Sequence, residues 1–237
     1  MIVGCMQPYF FPYLGHFQLI ARVERWIVFD IVKYSRRTWM NRNRVLSPRG
    51  GWHYLTVPVT VPHAGMIKDA VVVSLDASRR RILGQLAHYR RKAPYYEEAI
   101  SLVEEAFAST DSPFLVDLDV QSLVVVCRYL GIAFDYEILS TMGLALPPIS
   151  YPGQWALEVC DKLGATGYVN PSGARAIFRP EEWVDRRIAL EFLEPAVFRY
   201  TTGPYPFAEN LSILDVIMWN SPDSIVRAIR TSPGRAT

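Results

Sequence analysis

The residues best suited to chemistry crowd into the stretch from Gln7 to Arg44, where His16, Asp30, Arg42 and Arg44 lie among aromatic and amide side chains. Asp30 closes the apolar run Trp26-Ile-Val-Phe-Asp30, where a buried carboxylate is costly unless it is paired or used. Asp30 is a candidate general base, and so is His16, whose imidazole ordinarily titrates near neutral pH. Lys33-Tyr-Ser-Arg-Arg-Thr-Trp-Met-Asn-Arg-Asn-Arg44 reads as a basic loop suited to an anion. The guanidinium forks of Arg42 and Arg44 match phosphate or carboxylate, Asn41 and Asn43 donate and accept, and Trp39 offers a stacking face. Charge runs are more often solvated loops, yet the interleaved Trp and Asn favour binding here. A structural ion pair between Asp30 and Lys33, Arg36, Arg37, Arg42 or Arg44 is the competing role.

Gln7-Pro8-Tyr9-Phe10-Phe11-Pro12-Tyr13-Leu14-Gly15-His16 joins an amide, two prolines and several aromatics in one loop. Following a strand, such a loop can form one rigid wall of a pocket, with Gln7, Tyr9 and Tyr13 toward a ligand; the alternative is that its aromatics fill the core. Tyr168-Val-Asn170-Pro-Ser172-Gly173 follows another apolar strand with a small-residue turn, whose peptide N–H groups can face an oxyanion. A simple tight turn explains that segment nearly as well. Cys5, Cys127 and Cys160 lie in apolar contexts and read as small hydrophobes. No Ser-His-Asp order, Walker loop, GxGxxG or HExxH is present. His16, His53, His63 and His88 lack ligand spacing and no cysteine pair supplements them, so neither metal nor cofactor is expected.

These side chains need a scaffold, and the hydrophobic pattern supplies an α/β one. Residues 2–6 read as a strand stopped by proline, Gly15 opens a helix carrying Phe17, Ile20 and Val23, and 26–30 is a second strand. Strand, helix and strand in this order predict a βαβ unit with a parallel pair. Residues 52–61 and 70–75 read as a strand pair around Pro62 and Gly65. Helices are expected from Asp76 or Ser78 to Lys92, from Pro94 to about 109, and from Ser112 to Gly131. Beyond them come strands at 135–140, 167–170 and 189–194, a helix at 153–163 stopped by Gly164, and a helix capped by Asn210. The expectation is a mostly parallel sheet in a single domain over 1–237, with a helical lobe inserted at about 77–131 and frayed residues at 231–237.

With 237 residues, half of them hydrophobic, the chain can bury a large core. Its 25 basic and 23 acidic residues leave a net charge of +2, too small to attract a polyanion over the whole surface. Nucleic acid is therefore not an expected partner, a tRNA carrying an aminoacyl group excepted. The apolar start stops at Gln7-Pro8, short of the roughly 7–15 apolar residues of a signal peptide. No run reaches the roughly 18 residues of a membrane span, and the sparse cysteines suit a reducing compartment. A cytoplasmic protein without a membrane partner is expected, with an anionic small-molecule substrate and room for a homo-oligomer.

Met6-Gln-Pro-Tyr-Phe-Phe-Pro-Tyr-Leu-Gly15, Trp39-Met-Asn-Arg-Asn-Arg44, Tyr89 with Ala93-Pro94-Tyr95, Leu163-Gly-Ala-Thr-Gly-Tyr168-Val-Asn-Pro171 and Leu211-Ser-Ile-Leu-Asp215 resemble the WbqC-like protein family, in the family's order. The resemblance adds Asp215 to the candidate binding residues. It implies bacterial O-antigen, surface-polysaccharide or secondary-metabolite biosynthesis, and an acyl or aminoacyl (glycyl) transferase acting on an amine of a sugar or related metabolite. Departures occur at His16, where the family usually has tyrosine, at Cys5, and at Ile31. A non-catalytic small-molecule-binding partner of a biosynthetic enzyme is the second reading. A nucleotidyltransferase-like enzyme is the third, because Gly15-His16 is similar to the small-x-Gly-His turn at which such enzymes meet phosphate.

Overall fold

Apolar strands joined through helices must run in the same direction, because a crossover of that length returns the chain to the edge it started from. The computed structural model describes residues 1–231 and has such a sheet. β1 (Ile2–Met6), α1 (Leu14–Ile20) and β2 (Arg25–Val28) form the expected βαβ unit. Two small antiparallel pairs follow, β3 (Arg42–Leu46) with β4 (Trp52–Thr56) and β5 (Val59–Thr60) with β6 (Val71–Val72). Helices α2 (Leu75–Leu86), α3 (Tyr96–Ala108) and α4 (Leu115–Leu130) precede β7 (Tyr136–Ile138). The chain then runs through α5 (Gln154–Lys162), β8 (Gly167–Pro171), α6 (Pro180–Asp185), β9 (Ala189–Leu193), α7 (Ile213–Trp219) and α8 (Pro222–Arg230). No helix among the described residues is long and apolar enough to cross a membrane.

The five strands line up as β7-β2-β1-β8-β9, every neighbour parallel. The chain therefore builds outward from β1 on one side, then resumes beside β1 on the other with β8. Where the order reverses, the loops leaving β1 and β8 diverge and open a crevice at the carboxyl edge of the sheet. Alternation of side chains assigns the two faces. Val3, Cys5, Ile27 and Tyr168 pack with Leu157 and Cys160 of α5 and Trp183 of α6. Trp26, Val28 and Val169 turn the other way, into a core shared by α1, the three central helices, α7 and α8. Gly4 lies opposite Trp26, and a Cβ there would approach the indole to 3.2 Å.

Several local expectations change. The basic loop ends at Asn41, because Arg42 begins a strand whose inward positions are Asn43 and Val45. Trp52–Thr56 pairs with that strand, while 59–60 and 71–72 pair as expected. Gly50 and Gly51, both with positive φ, make the β3–β4 turn. Ser74 caps α2 instead of Asp76 or Ser78, its Oγ accepting from Ala77 N at 3.2 Å, and α2 stops at Leu86. Ser112 lies outside the α4 cap, which falls on Phe114, and Ser212 caps α7 in place of Asn210. Gly131 and Gly164 end α4 and α5 in the left-handed region, as their positions predict. α8 was not anticipated, and the expected fraying beyond residue 231 lies outside the described residues.

Asp215, in the first turn of α7, ties these elements together from a fully buried position. One carboxylate oxygen accepts from Leu46 N at 3.1 Å and from the Tyr89 hydroxyl; the other accepts from the Tyr200 hydroxyl at 3.0 Å. Burial pushes its pKa up from 3.8 to about 6, against the pull of those donors. The native state thus holds an extra proton between these values, so this group's contribution to stability is full below pH 3.8 and lost as pH rises to about 6. Asp215→Asn should remove that slope from a pH series of urea denaturations. Asp215→Ala, which orphans two buried donors and one partly buried donor, should lower the unfolding free energy by about 3 kcal/mol.

Candidate functional site

The crevice between the ends of β1 and β8 is a cavity of about 790 Å³, within the range of small-molecule sites. Met6 at the end of β1, Gln7 just past it, and Asn170 and Pro171 from β8 form its floor. The loop from Tyr9 to His16 makes one wall, Trp155 of α5 with Ile177 and Phe178 the other, and Trp39, Asn43 and Arg44 contribute from the hairpin side.

The Tyr9 wall is rigid because its backbone is held from several elements. Phe11 is fully buried at φ 38°, a left-handed conformation that is costly for an aromatic residue. Its N–H donates to Ser122 Oγ of α4 at 3.1 Å, and its carbonyl accepts from Asn43 Nδ2 at 3.0 Å and from Ser212 Oγ at 2.7 Å. Phe10 N donates to Trp39 O at 3.1 Å, and Ile213 N to Pro12 O at 2.8 Å. Asn43 is thus a positioning residue, buried beneath the loop that it shapes.

His16 stands in this wall with its ring between Tyr9 and Trp26, at centroid distances of 5.5 and 4.9 Å. Its Nε2 is sealed from solvent and has no hydrogen-bond partner among the described residues. Burial drives its pKa down from 6.5 to about 3, so the imidazole is neutral and far below the range that suits a general base. Burial likewise raises the hydroxyls of Tyr9 and Tyr13 and pushes the Cys5 thiol up to about 12, which leaves the thiol unreactive. Tyr168 donates to Asn170 Oδ1 at 2.8 Å, and Asn170 Nδ2 donates to Pro171 O at 3.0 Å. That amide is engaged in shaping the floor.

Arg44 is the cation of the cavity. Its guanidinium lies over Trp39 and Trp52, at 5.3 and 4.9 Å from the ring centroids, and donates to Asn210 O at 3.1 Å. Among the described residues no carboxylate lies within ion-pairing distance of it, whereas most other pairs of the molecule are ordinary surface bridges.

The cavity brings together Gln7, Tyr9, Tyr13, His16, Trp39, Asn43, Arg44, Tyr168 and Asn170, and leaves out Asp30, Asn41, Arg42, Ser172 and Asp215. Asp30 is at the same sheet edge but fully buried, accepting from Ser140 N at 3.0 Å and Ser140 Oγ at 2.5 Å. It anchors the turn after β7 instead of pairing with the basic loop, and burial raises its pKa against those bonds. Asn41 Nδ2 donates to Val57 O at 2.9 Å, and Arg42 donates to Arg37 O at 2.5 Å while lying 4.0 Å over Tyr54. Ser172 begins a short 3₁₀ turn whose next residues, Gly173 and Ala174, reach the cavity. Asp215 belongs to the core described above.

Glu194, Phe29, Trp155 and Gly153 also line the cavity and were missed in the sequence. Glu194 follows β9 as Asp30 follows β2, but Glu191 interrupts the run 189–193, so the signal that singled out Asp30 is weaker there. A Cβ on Gly153 would collide with the Ile177 carbonyl, so glycine lets α5 begin against that wall. No group of three or more His, Cys, Asp or Glu among the described residues is placed to hold a metal ion.

The neutral imidazole yields a direct prediction. The His16 ring resonances should stay at their neutral positions from pH 8 down to pH 5 in an NMR titration, and shift only as the medium approaches pH 3. Because the native value is depressed, this group's stabilisation is complete above pH 6.5 and declines as pH falls toward about 3.

No solved structure matches the chain. Over 200 residues, covering 78% of this chain and 76% of the relative, it is 28% identical to an uncharacterized protein, Rv1507c, of Mycobacterium tuberculosis. The pattern of the WbqC-like protein family matches residues 7–227, from the first residue of the cavity loop to the last turns of α8. The cavity loop, the β3 strand and the β8 floor all fall inside that match, and the chain belongs to the WbqC-like protein family.

Proposed function

We propose that this chain is a cytoplasmic biosynthetic transferase of surface-polysaccharide or secondary-metabolite assembly. It moves an acyl or aminoacyl group, glycyl among the candidates, onto an amine of a sugar or related metabolite. The observation that carries this reading is Arg44, a guanidinium on the cavity wall with no carboxylate partner among the described residues. An unpaired fork at a strand-order reversal suits an anionic substrate.

The chemistry follows from what the walls lack. Cys5 and the wall tyrosines are held in their protonated forms, so no side chain of the cavity is poised to take the acyl group itself. The acceptor amine attacks the donor carbonyl directly: the N–C bond forms, the bond from carbon to the leaving group breaks, the amine's proton passes to a base, and the leaving group departs with the electron pair. Glu194, a carboxylate at the cavity, takes that proton. Arg44 holds the anionic part of the donor, and the peptide groups at Gly173 and Ala174 face the developing oxyanion. A volume of about 790 Å³ accommodates donor and acceptor together, so proximity supplies much of the acceleration.

The depressed imidazole of His16 and the occupied carboxylate of Asp30 favour a second reading, a binding subunit that presents an anionic metabolite to a partner enzyme. Incubation with acyl and aminoacyl donors and a panel of amino sugars separates the two. Amide products detected by mass spectrometry are the expected result. Arg44→Ala should weaken donor binding by about 1.5–3 kcal/mol, with Arg44→Lys restoring part of it. Glu194→Gln should lower kcat about 100-fold or more with KM little changed. Ligand binding by calorimetry without any product would identify the binding subunit instead.

A further inference from the structure

Beside the cavity, the outward face of the β3–β4 hairpin carries an arrangement of which the transfer chemistry uses only Arg44. Strand register puts Arg44 opposite Tyr54, with Arg42 and Trp52 as diagonal neighbours on that face. Arg42 lies 4.0 Å over the Tyr54 ring and Arg44 lies 4.9 Å over Trp52, while Trp52 and Tyr54 meet edge to face at 5.1 Å. Trp39 closes the row, 6.4 Å from Tyr54. Trp39 and Trp52 are 39% and 43% exposed, an unusual position for two indoles on a two-stranded hairpin. Neither arginine has a carboxylate partner among the described residues. The inner face of the same strands is conventional core, Val45 and Leu55 being fully buried.

We infer that this face is a nucleotide platform: it takes the nucleobase and phosphate of the donor, a reading that rests on the proposed transfer reaction. Exposed aromatic faces interleaved with arginines suit a π-faced, phosphate-bearing ligand, because the base stacks and the guanidinium forks pair with phosphate oxygens. The direction of such a ligand is built in. Trp39 and Arg44 belong to both the cavity wall and the platform, whereas Trp52, Tyr54 and Arg42 lie beyond the cavity. A base on Trp52 therefore puts its phosphate at Arg44 and whatever the phosphate carries inside the cavity. The nucleotide becomes the leaving group, and Arg44 stabilises the charge that it acquires.

Calorimetric titration of the whole chain with AMP, adenosine and inorganic phosphate tests the platform without reference to turnover. AMP should bind about tenfold or more tightly than adenosine or phosphate. Trp52→Ala should weaken AMP about tenfold, Trp52→Phe should restore most of it, and circular dichroism should show both variants folded. A single-stranded oligoribonucleotide that binds no tighter than AMP identifies a free nucleotide as the source. Binding about tenfold tighter, with a steep salt dependence, identifies an RNA end carrying the same base and phosphate. Absence of AMP binding, or AMP binding indifferent to Trp52→Ala, overturns the platform and leaves the transfer reaction standing if amide products form. Trp52-dependent AMP binding with no transfer from any donor leaves the platform and overturns the transferase.

Discussion

The backbone of one residue holds the working end of this molecule together. Phe11, fully buried in a left-handed conformation, is reached by Ser122 from the central helices, by Asn43 from the hairpin and by Ser212 from the cap of α7. An aromatic residue keeps such a conformation only where its surroundings over-determine it. Here three elements far apart in sequence do so, and each is thereby referenced to the loop that walls the cavity. The cavity's shape is in this sense the shape of a single strained turn.

Electrostatics divides the ionisable groups into two populations. Asp30, Asp119 and Asp215 lie inside, where burial raises their pKa values; hydroxyl and peptide donors surround Asp30 and Asp215, and the charge of Lys68 opposes the rise at Asp30. Arg42 and Arg44 lie outside with aromatic rings around them in place of carboxylates. A guanidinium stacked on an indole keeps its in-plane N–H groups available, whereas one locked to a carboxylate does not. Two guanidiniums without a carboxylate partner among the described residues thus sit side by side on the outward face of the hairpin.

Much of the scaffold was legible because it is written in short-range patterns. The β1–α1–β2 unit, the strands near 136, 167 and 189, and the glycine stops at 131 and 164 follow from periodicity and left-handed turn chemistry. β3 was not legible, because Arg42 and Arg44 on its solvent face made the segment read as a polar loop and hid the inward Asn43 and Val45. The site divided in the same way. Gln7 to His16 announces itself by composition, but Asp30 and Glu194 are both carboxylates at the exit of a parallel strand. Which of them meets the cavity depends on the turn at 139–141, which covers Asp30 and comes from residues more than 100 positions away. Asp215 enters only through the family resemblance, as a binding residue, and tertiary packing makes it the buried partner of Tyr89 and Tyr200.

The placement of β1 has a consequence for how the chain is made. Its partner on one side, β2, follows within about twenty residues, but on the other side Ile2 pairs with Gly167. Synthesis from the N-terminus therefore leaves one edge of an apolar strand unsatisfied until β8 has emerged, and contacts of that sequence separation close late. During that interval the open edge is a template for mispairing with another nascent chain. The floor of the cavity, shared by β1 and β8, also cannot exist earlier, so a ligand recognised there can stabilise only chains that have already completed the sheet.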